Sequence, residues 1–297
     1  SAAEIHQLGR DHLQRVHAEM RVIFDELGYP ENESLGELYQ RVAQDGGIIP
    51  AAEVKATYET IIDAAELELD AAFDIFPSAD VVVLDDEYGG FYIGPSFDGS
   101  RPGAFYASTR FNEPWYSMPS LTYHEAIPGH HTQIAIAMEL EGVPLIRRFG
   151  LFTAYVEGWA LYAERVAYEL GLMPTNADNI GRLMAELFRA VRLVVDTGIH
   201  HKRWTREEAI EYMLANTGMA ESDVISEIER YIVLPGQATA YKVGMMKILK
   251  LREKAMNELG DKFDLRDFHD VVLKNGAVPL DILERIVDDY IASTAGA

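Results

Sequence analysis

Cysteine is absent from the 297 residues, so neither a disulfide framework nor a thiolate metal site can form, and any bound metal must rest on His, Asp or Glu. A core of this size needs no disulfides, so the absence assigns no redox compartment. Long hydrophobic runs are also missing. The longest, Val81–Leu84 and Leu193–Val195, fall far short of the roughly 20 residues that a spanning helix needs, and no membrane span is expected. Basic residues are scarce: 26 Lys and Arg against 48 Asp and Glu leave a formal net charge of -22. That field repels a phosphate backbone and no basic patch interrupts it, so nucleic acid is excluded as a partner while neutral or basic peptides remain compatible. Ser1-Ala2-Ala3 shows no basic flank followed by an apolar stretch, so no signal peptide is visible. The expected location stays open: soluble, and either cytoplasmic or exported with its signal removed.

Hydrophobic residues make up 48% and charged residues 25%, the balance of a globular chain able to bury a large core. One domain over 1–297 is the expectation. Residues 1–78 read as helical: apolar positions recur at helical spacing from Glu4 to Leu27, from Leu35 to Ala43 and from Ala51 to Phe76, with Gly28-Tyr29-Pro30 and Pro77 as stops. Residues 79–118 change texture. Val81–Leu84, Gly90–Gly94 and Gly103–Ala107 read as short strands between Gly, Pro and Asp, a small antiparallel sheet. Residues 119–297 return to helical patterning. The fold class is mainly α, with the small sheet preceding the segment that carries the chemistry.

That segment is Tyr123-His124-Glu125-Ala126-Ile127-Pro128-Gly129-His130-His131. In the zinc helix His-Glu-x-x-His, two imidazoles four residues apart share a face and the Glu activates water. Here the second His comes late. Six residues, to His130, turn the side chains about 120° apart on an unbroken helix, and seven, to His131, separate the backbones by roughly 10 Å. Pro128 removes a ladder hydrogen bond and Gly129 permits unusual dihedrals, so a kink there could return one imidazole to the metal. Either His130 or His131 is the second ligand. Three histidines beside a Pro-Gly turn could also be plain surface residues, but the adjoining His-Glu pair weighs against that.

Gluzincins draw a third ligand from a Glu on a following helix. The next helical segment places Glu157, Ala160, Leu161 and Glu164 on one face, two acids in apolar company. Glu157 is the candidate ligand and Glu164 the group that supports a ligand or contacts substrate, with the reverse assignment as the alternative. Further along, Arg189, Arg192, Asp196 and His200 form a helical stripe among Val191, Leu193, Val194 and Val195. A buried polar stripe is costly unless paired or used. It reads either as a structural Arg-Asp network or as a functional one, with His200 donating to an oxyanion, Arg192 clamping a peptide carboxylate and Asp196 behind them. Tyr241, after the Pro235-Gly236 break, is a second candidate oxyanion donor. The strand Gly103 to Thr109 is placed to offer an edge to an extended peptide. Arg101, in the turn-rich loop Phe97–Gly103, and Tyr106, on that strand, are the candidate substrate contacts.

With these segments assembled, the chain resembles the bacterial DUF885 family of predicted zinc peptidase-like proteins. The resemblance is carried by Asp98–Gly103, His124–His131, Glu157–Glu164, Arg189–His200, Pro235–Ala238 and Tyr241-Lys242. It implies a helical gluzincin-like metallopeptidase fold and one zinc ion per chain. Family members are roughly twice as long, so the chain resembles their C-terminal half, and a missing N-terminal half or partner chain could complete the cleft.

The expected function is hydrolysis of peptide or small amide bonds. Zinc sits on His124, His130 or His131, and Glu157, Glu125 is the general base, and Tyr241 and His200 stabilise the oxyanion. Arg192 points toward a carboxypeptidase or dipeptidase. The rival is a non-catalytic metal- or peptide-binding protein that keeps the fold. Retention of Glu125 argues against it, since a binding module has no use for the base.

Overall fold

The helix starts are written in local chemistry. Ser1, Ser34, Thr175 and Thr205 each accept the N–H three residues on, and Glu4, Glu37, Asp178 and Glu208 return a carboxylate to the cap, closing reciprocal capping boxes. The computed structural model describes residues 1–150 and 152–296. Its fold is mainly helical, with a small sheet. Contacts divide the chain into two compact units that interleave along the sequence.

The first unit comprises Ser1–Ile48, Pro114–Ser120 and Pro174–Val243. Its axis is the helix Asn176–His200, and the opening helix Ala2–Glu26 packs along it. Val16, Met20 and Phe24 from one and Leu183, Leu187 and Val194 from the other share a core. Gly9 allows the approach, because a Cβ there would stand 2.7 Å from Val194. Within this apolar contact Glu186 is buried against Arg15, Arg182 and Lys242.

The second unit comprises Ile49–Glu113, Leu121–Met173 and the chain from Gly244 onward. Its sheet has the order Val81–Asp85, Gly103–Ala107, Phe91–Ile93. The Phe91–Ile93 pair is antiparallel as expected, but Val81–Asp85 runs parallel to Gly103–Ala107, so the sheet is mixed. Gly103–Ala107 is therefore central. Both rows of its backbone groups face a neighbouring strand, and the expectation that it offers an edge to substrate is corrected: a strand paired on both sides has no ladder left to give.

The helix expected from Ala51 to Phe76 ends at Glu66, and a 3-10 turn follows at Leu69–Ala71. Phe73 leaves the helical stripe to stack on His269 at 4.6 Å, a packing gain that local periodicity does not reveal. The helix Thr153–Glu169 runs through the core of this unit, with Tyr155, Trp159 and Tyr162 fully buried. At Gly158 it meets Gly244 of the helix Gln237–Leu259 backbone to backbone; a Cβ on Gly158 would lie 2.4 Å from the Gly244 Cα. Gly158→Ala should therefore destabilise by about 1–3 kcal/mol through overpacking, against a helix-propensity gain of about 1 kcal/mol elsewhere. A urea denaturation midpoint equal to or above wild type would contradict this close approach.

Candidate metal centre

The His-Glu pair closes a short helix, Met118–Glu125, and a second helix, His130–Glu139, begins after a four-residue break. The break depends on two residues. Gly129 lies so close to the preceding turn that a Cβ would fall 2.0 Å from the His124 carbonyl oxygen, which no side chain tolerates. Pro128 has no N–H to continue the ladder, and its carbonyl accepts the Trp159 indole N–H at 2.9 Å. That bond ties the break to the helix carrying Glu157. The His131 N–H reaches back to the Ala126 carbonyl, five residues away, so the second helix starts with a wide turn.

This folding-back brings His130 to His124. Their rings meet edge to face at 4.9 Å, and His124, Glu125 and His130 each present a ligand atom within 4.8 Å of the others. Glu157 completes the group: its Oε2 lies 3.6 Å from His124 Nε2 and 3.3 Å from His130 Nε2. His124, Glu125 and His130 are buried and Glu157 is partly buried. On its other side His124 Nδ1 meets Glu164 Oε1 at 2.8 Å, within a helix face that also carries Glu157. A carboxylate accepting from Nδ1–H orients the ring so that Nε2 faces Glu157.

The electrostatics follow from that crowding. Burial alone would lower the His124 pKa, but the nearby Glu157 carboxylate, the hydrogen bond to Glu164 and the charge of Glu125 outweigh it and raise it to about 9. Burial pushes the Glu157 carboxyl up, and the two imidazoles prevail and hold it well below the usual carboxylate range. A buried knot of two imidazoles and two carboxylates is satisfied by shared protons or by a cation. Glu157 Oε2 converges on both imidazole Nε2 atoms without an aligned hydrogen bond to either, which fits a metal's donor set.

Of the two candidate second ligands the structure gathers His130. His131 points elsewhere: its Nδ1 meets the Tyr92 hydroxyl at 2.8 Å and its Nε2 the Ala79 carbonyl at 3.0 Å, so both ring nitrogens are engaged. Burial lowers its pKa to about 4. Of the two alternatives, His131 is thereby corrected, because both of its ring nitrogens are taken and a ligating imidazole needs one free lone pair. Trp159 and Tyr92 were missed in the sequence. A buried Trp needs an acceptor for its N–H, and that requirement was the available signal for Trp159; Tyr92 had none.

Arg101 donates to the Gly94 carbonyl at 2.7 Å and to the Pro102 carbonyl, tying its own loop. Tyr106 stacks on Phe91 at 4.7 Å. The remaining candidates belong to the first unit and form a constellation there. Arg192 donates to the Tyr231 hydroxyl at 2.8 Å and to Glu227 at 2.9 Å, and lies over the rings of Phe188 and Tyr241. His200 Nε2 meets the Tyr231 carbonyl at 2.9 Å, and Gln237 donates to the Tyr241 hydroxyl at 3.3 Å. Asp196 accepts the Gly236 N–H at 3.0 Å, so what it orients is the turn before Tyr241.

Comparison with solved structures places the fold. The crystal structure titled "putative lipoprotein from Colwellia psychrerythraea" matches 99% of the chain at 45% identity, with a TM-score of 0.95. A second "putative lipoprotein of unknown function", from Shewanella oneidensis, matches 96% at 22% identity and a TM-score of 0.84, a likeness of fold. The chain covers 53% and 56% of those two chains, about half the length of each. A search of curated proteins found no match. The family model for bacterial proteins of unknown function, DUF885, matches residues 1–287, and the chain belongs to that family.

Proposed function

We propose that this chain is a zinc-dependent hydrolase of peptide or small amide bonds. The observation that carries the reading is the break at 126–129, which turns His130 back so that both imidazole Nε2 atoms face one oxygen of Glu157. His124, His130 and Glu157 would hold the ion, with Glu164 orienting His124. When bound, zinc supplies Lewis-acid activation of water and of the scissile carbonyl. Glu125, adjacent to a ligand and buried, takes the proton from the attacking water and returns it to the leaving amine. The acidic field of the chain favours neutral or basic substrates over acidic ones. A preference for a free C-terminus extends the proposal.

Metal content tests the ligand set. Wild type purified without added metal and then exposed to zinc should retain about one equivalent after dialysis. His124→Ala, His130→Ala and Glu157→Ala should each lose it, and His131→Ala should keep it. A wild type that takes up no metal overturns the hydrolase reading and favours a binding role.

A further inference from the structure

The two helices that carry His130 and Glu157 also furnish the walls of a cavity of about 340 Å³. On His130–Glu139, Ile134, Ala137 and Met138 follow His130 at four, seven and eight residues, so they lie on its side of the helix, and all three line the cavity. On Thr153–Glu169, the two residues just before Glu157, Tyr155 and Val156, line it as well. The helices are joined at both levels: His130 Nε2 lies 3.3 Å from Glu157 Oε2, and Gln133 donates to the Tyr155 carbonyl at 3.4 Å. Four residues of helix rise about 6 Å, a distance that about two residues of an extended peptide cover. A peptide bond held at the metal centre therefore has a neighbouring side chain within reach of this cavity.

The wall keeps apolar surface open. Ile93 and Phe149 are 43% and 44% exposed, and Ile134, Met138 and Val156 are half-buried. Arg148 is the one charged residue in the lining. Its guanidinium donates to the Met138 carbonyl and lies 5.1 Å and 5.7 Å from the ring centres of Phe97 and Phe149, and no carboxylate pairs with it among the described residues. A cation without a counter-charge repels a lysine or arginine side chain. A carboxylate would give up its hydration to apolar groups and meet a guanidinium already engaged, and the acidic field of the chain opposes its approach. An apolar side chain meets neither obstacle and covers the open surface.

We propose that this cavity receives a large apolar side chain, aromatic or branched aliphatic, from the peptide residue beside the bond that the metal centre cuts. Its place beside a cut bond rests on the hydrolase reading, whereas its preference for an apolar side chain rests on its own lining.

Calorimetric titration of the zinc-loaded full chain with the hydroxamates of Nα-acetyl-glycine, Nα-acetyl-phenylalanine, Nα-acetyl-lysine and Nα-acetyl-glutamate tests it. The hydroxamate anchors each probe on the metal and leaves the side chain as the variable. The phenylalanine probe should bind about tenfold to a hundredfold tighter than the glycine probe, and the lysine and glutamate probes no tighter than glycine. Ile134→Trp fills the cavity from a half-buried position and should erase most of the phenylalanine advantage, with the glycine probe reporting whether the variant still folds. Arg148→Glu should draw in the lysine probe several-fold, an independent reading where Ile134→Trp does not fold. Equal binding of the phenylalanine and glycine probes, a glutamate probe tighter than phenylalanine, or an advantage that survives in folded Ile134→Trp overturns the proposal. A chain that takes up no zinc sinks the hydrolase reading, and titration with the matching Nα-acetyl amides then decides the cavity alone: a phenylalanine preference upholds it, and equal binding overturns it.

Discussion

Glu125→Gln should keep the metal of the wild type and lose hydrolysis of a mixed peptide substrate by about 10²–10⁴-fold, the usual contribution of a positioned general base. The amide is close in size to the carboxylate and removes the proton acceptor without opening a cavity. Glu125 sits at the end of Met118–Glu125, 5% exposed and within 4.8 Å of the ligand atoms of His124 and His130. Zinc content measured beside the rate makes the result decisive. Full metal with abolished turnover is the outcome the hydrolase reading requires. Turnover unchanged with full metal removes Glu125 as base, and wild type with full metal but no activity across a broad peptide set leaves the binding alternative as the better account.

How far the sequence foretold this site depends on which interactions are local. The helices were legible because their caps and stripes lie within a few residues: Ser1-x-x-Glu4 and Thr175-x-x-Asp178 announce starts that the structure keeps. The pairing of Glu157 with Glu164 on one face was legible for the same reason. The choice between His130 and His131 was not, since helical spacing disfavours both. It is decided by partners 39 and 52 residues away, Tyr92 and Ala79, which occupy the nitrogens of His131. Strand order was equally out of reach. Three short runs can be spotted by texture, but nothing local says that the last of them, Gly103–Ala107, lies between the other two. The polar stripe on Asn176–His200 shows the same limit. Spacing places Arg192, Asp196 and His200 on one helix, and only the packed structure shows Tyr231 receiving two of them.

The largest effect on stability should come from Glu186. Its Oε1 takes the Lys242 ammonium at 2.5 Å and an Arg15 contact, its Oε2 takes Arg182 at 3.0 Å, and the Glu186, Lys242 and Arg182 side chains are all at most 4% exposed. Burial opposes ionisation of the carboxyl, yet the charges of Lys242, Arg15 and Arg182 prevail and lower its pKa to about 2, from 4.5. A depressed carboxylate stabilises the fold fully above the unfolded value and progressively less as pH falls toward the folded one, an effect of about 3 kcal/mol for this shift. His12 acts in the same direction. Burial and the charges of Lys242 and Arg15 hold it down to about 4, so its contribution fades as pH drops below 6.5. Stability should therefore fall with acid over two overlapping ranges, through His12 below about pH 6.5 and through Glu186 below about pH 4.5. Glu186→Ala should cost about 3–5 kcal/mol at neutral pH, because it strands buried cations. Lys242 can relieve part of that by losing its proton, toward which burial already pulls it, whereas Arg182 cannot. Urea denaturation of wild type and variant across pH should show the gap narrowing by about 1 kcal/mol per unit below pH 4.5. A gap under about 1 kcal/mol at neutral pH would mean that the cluster is hydrated and cheap to break. Replacing Glu186 and Lys242 together, as Glu186→Leu with Lys242→Met, should recover only part of the loss, since it removes one stranded cation and leaves Arg182 buried without its carboxylate.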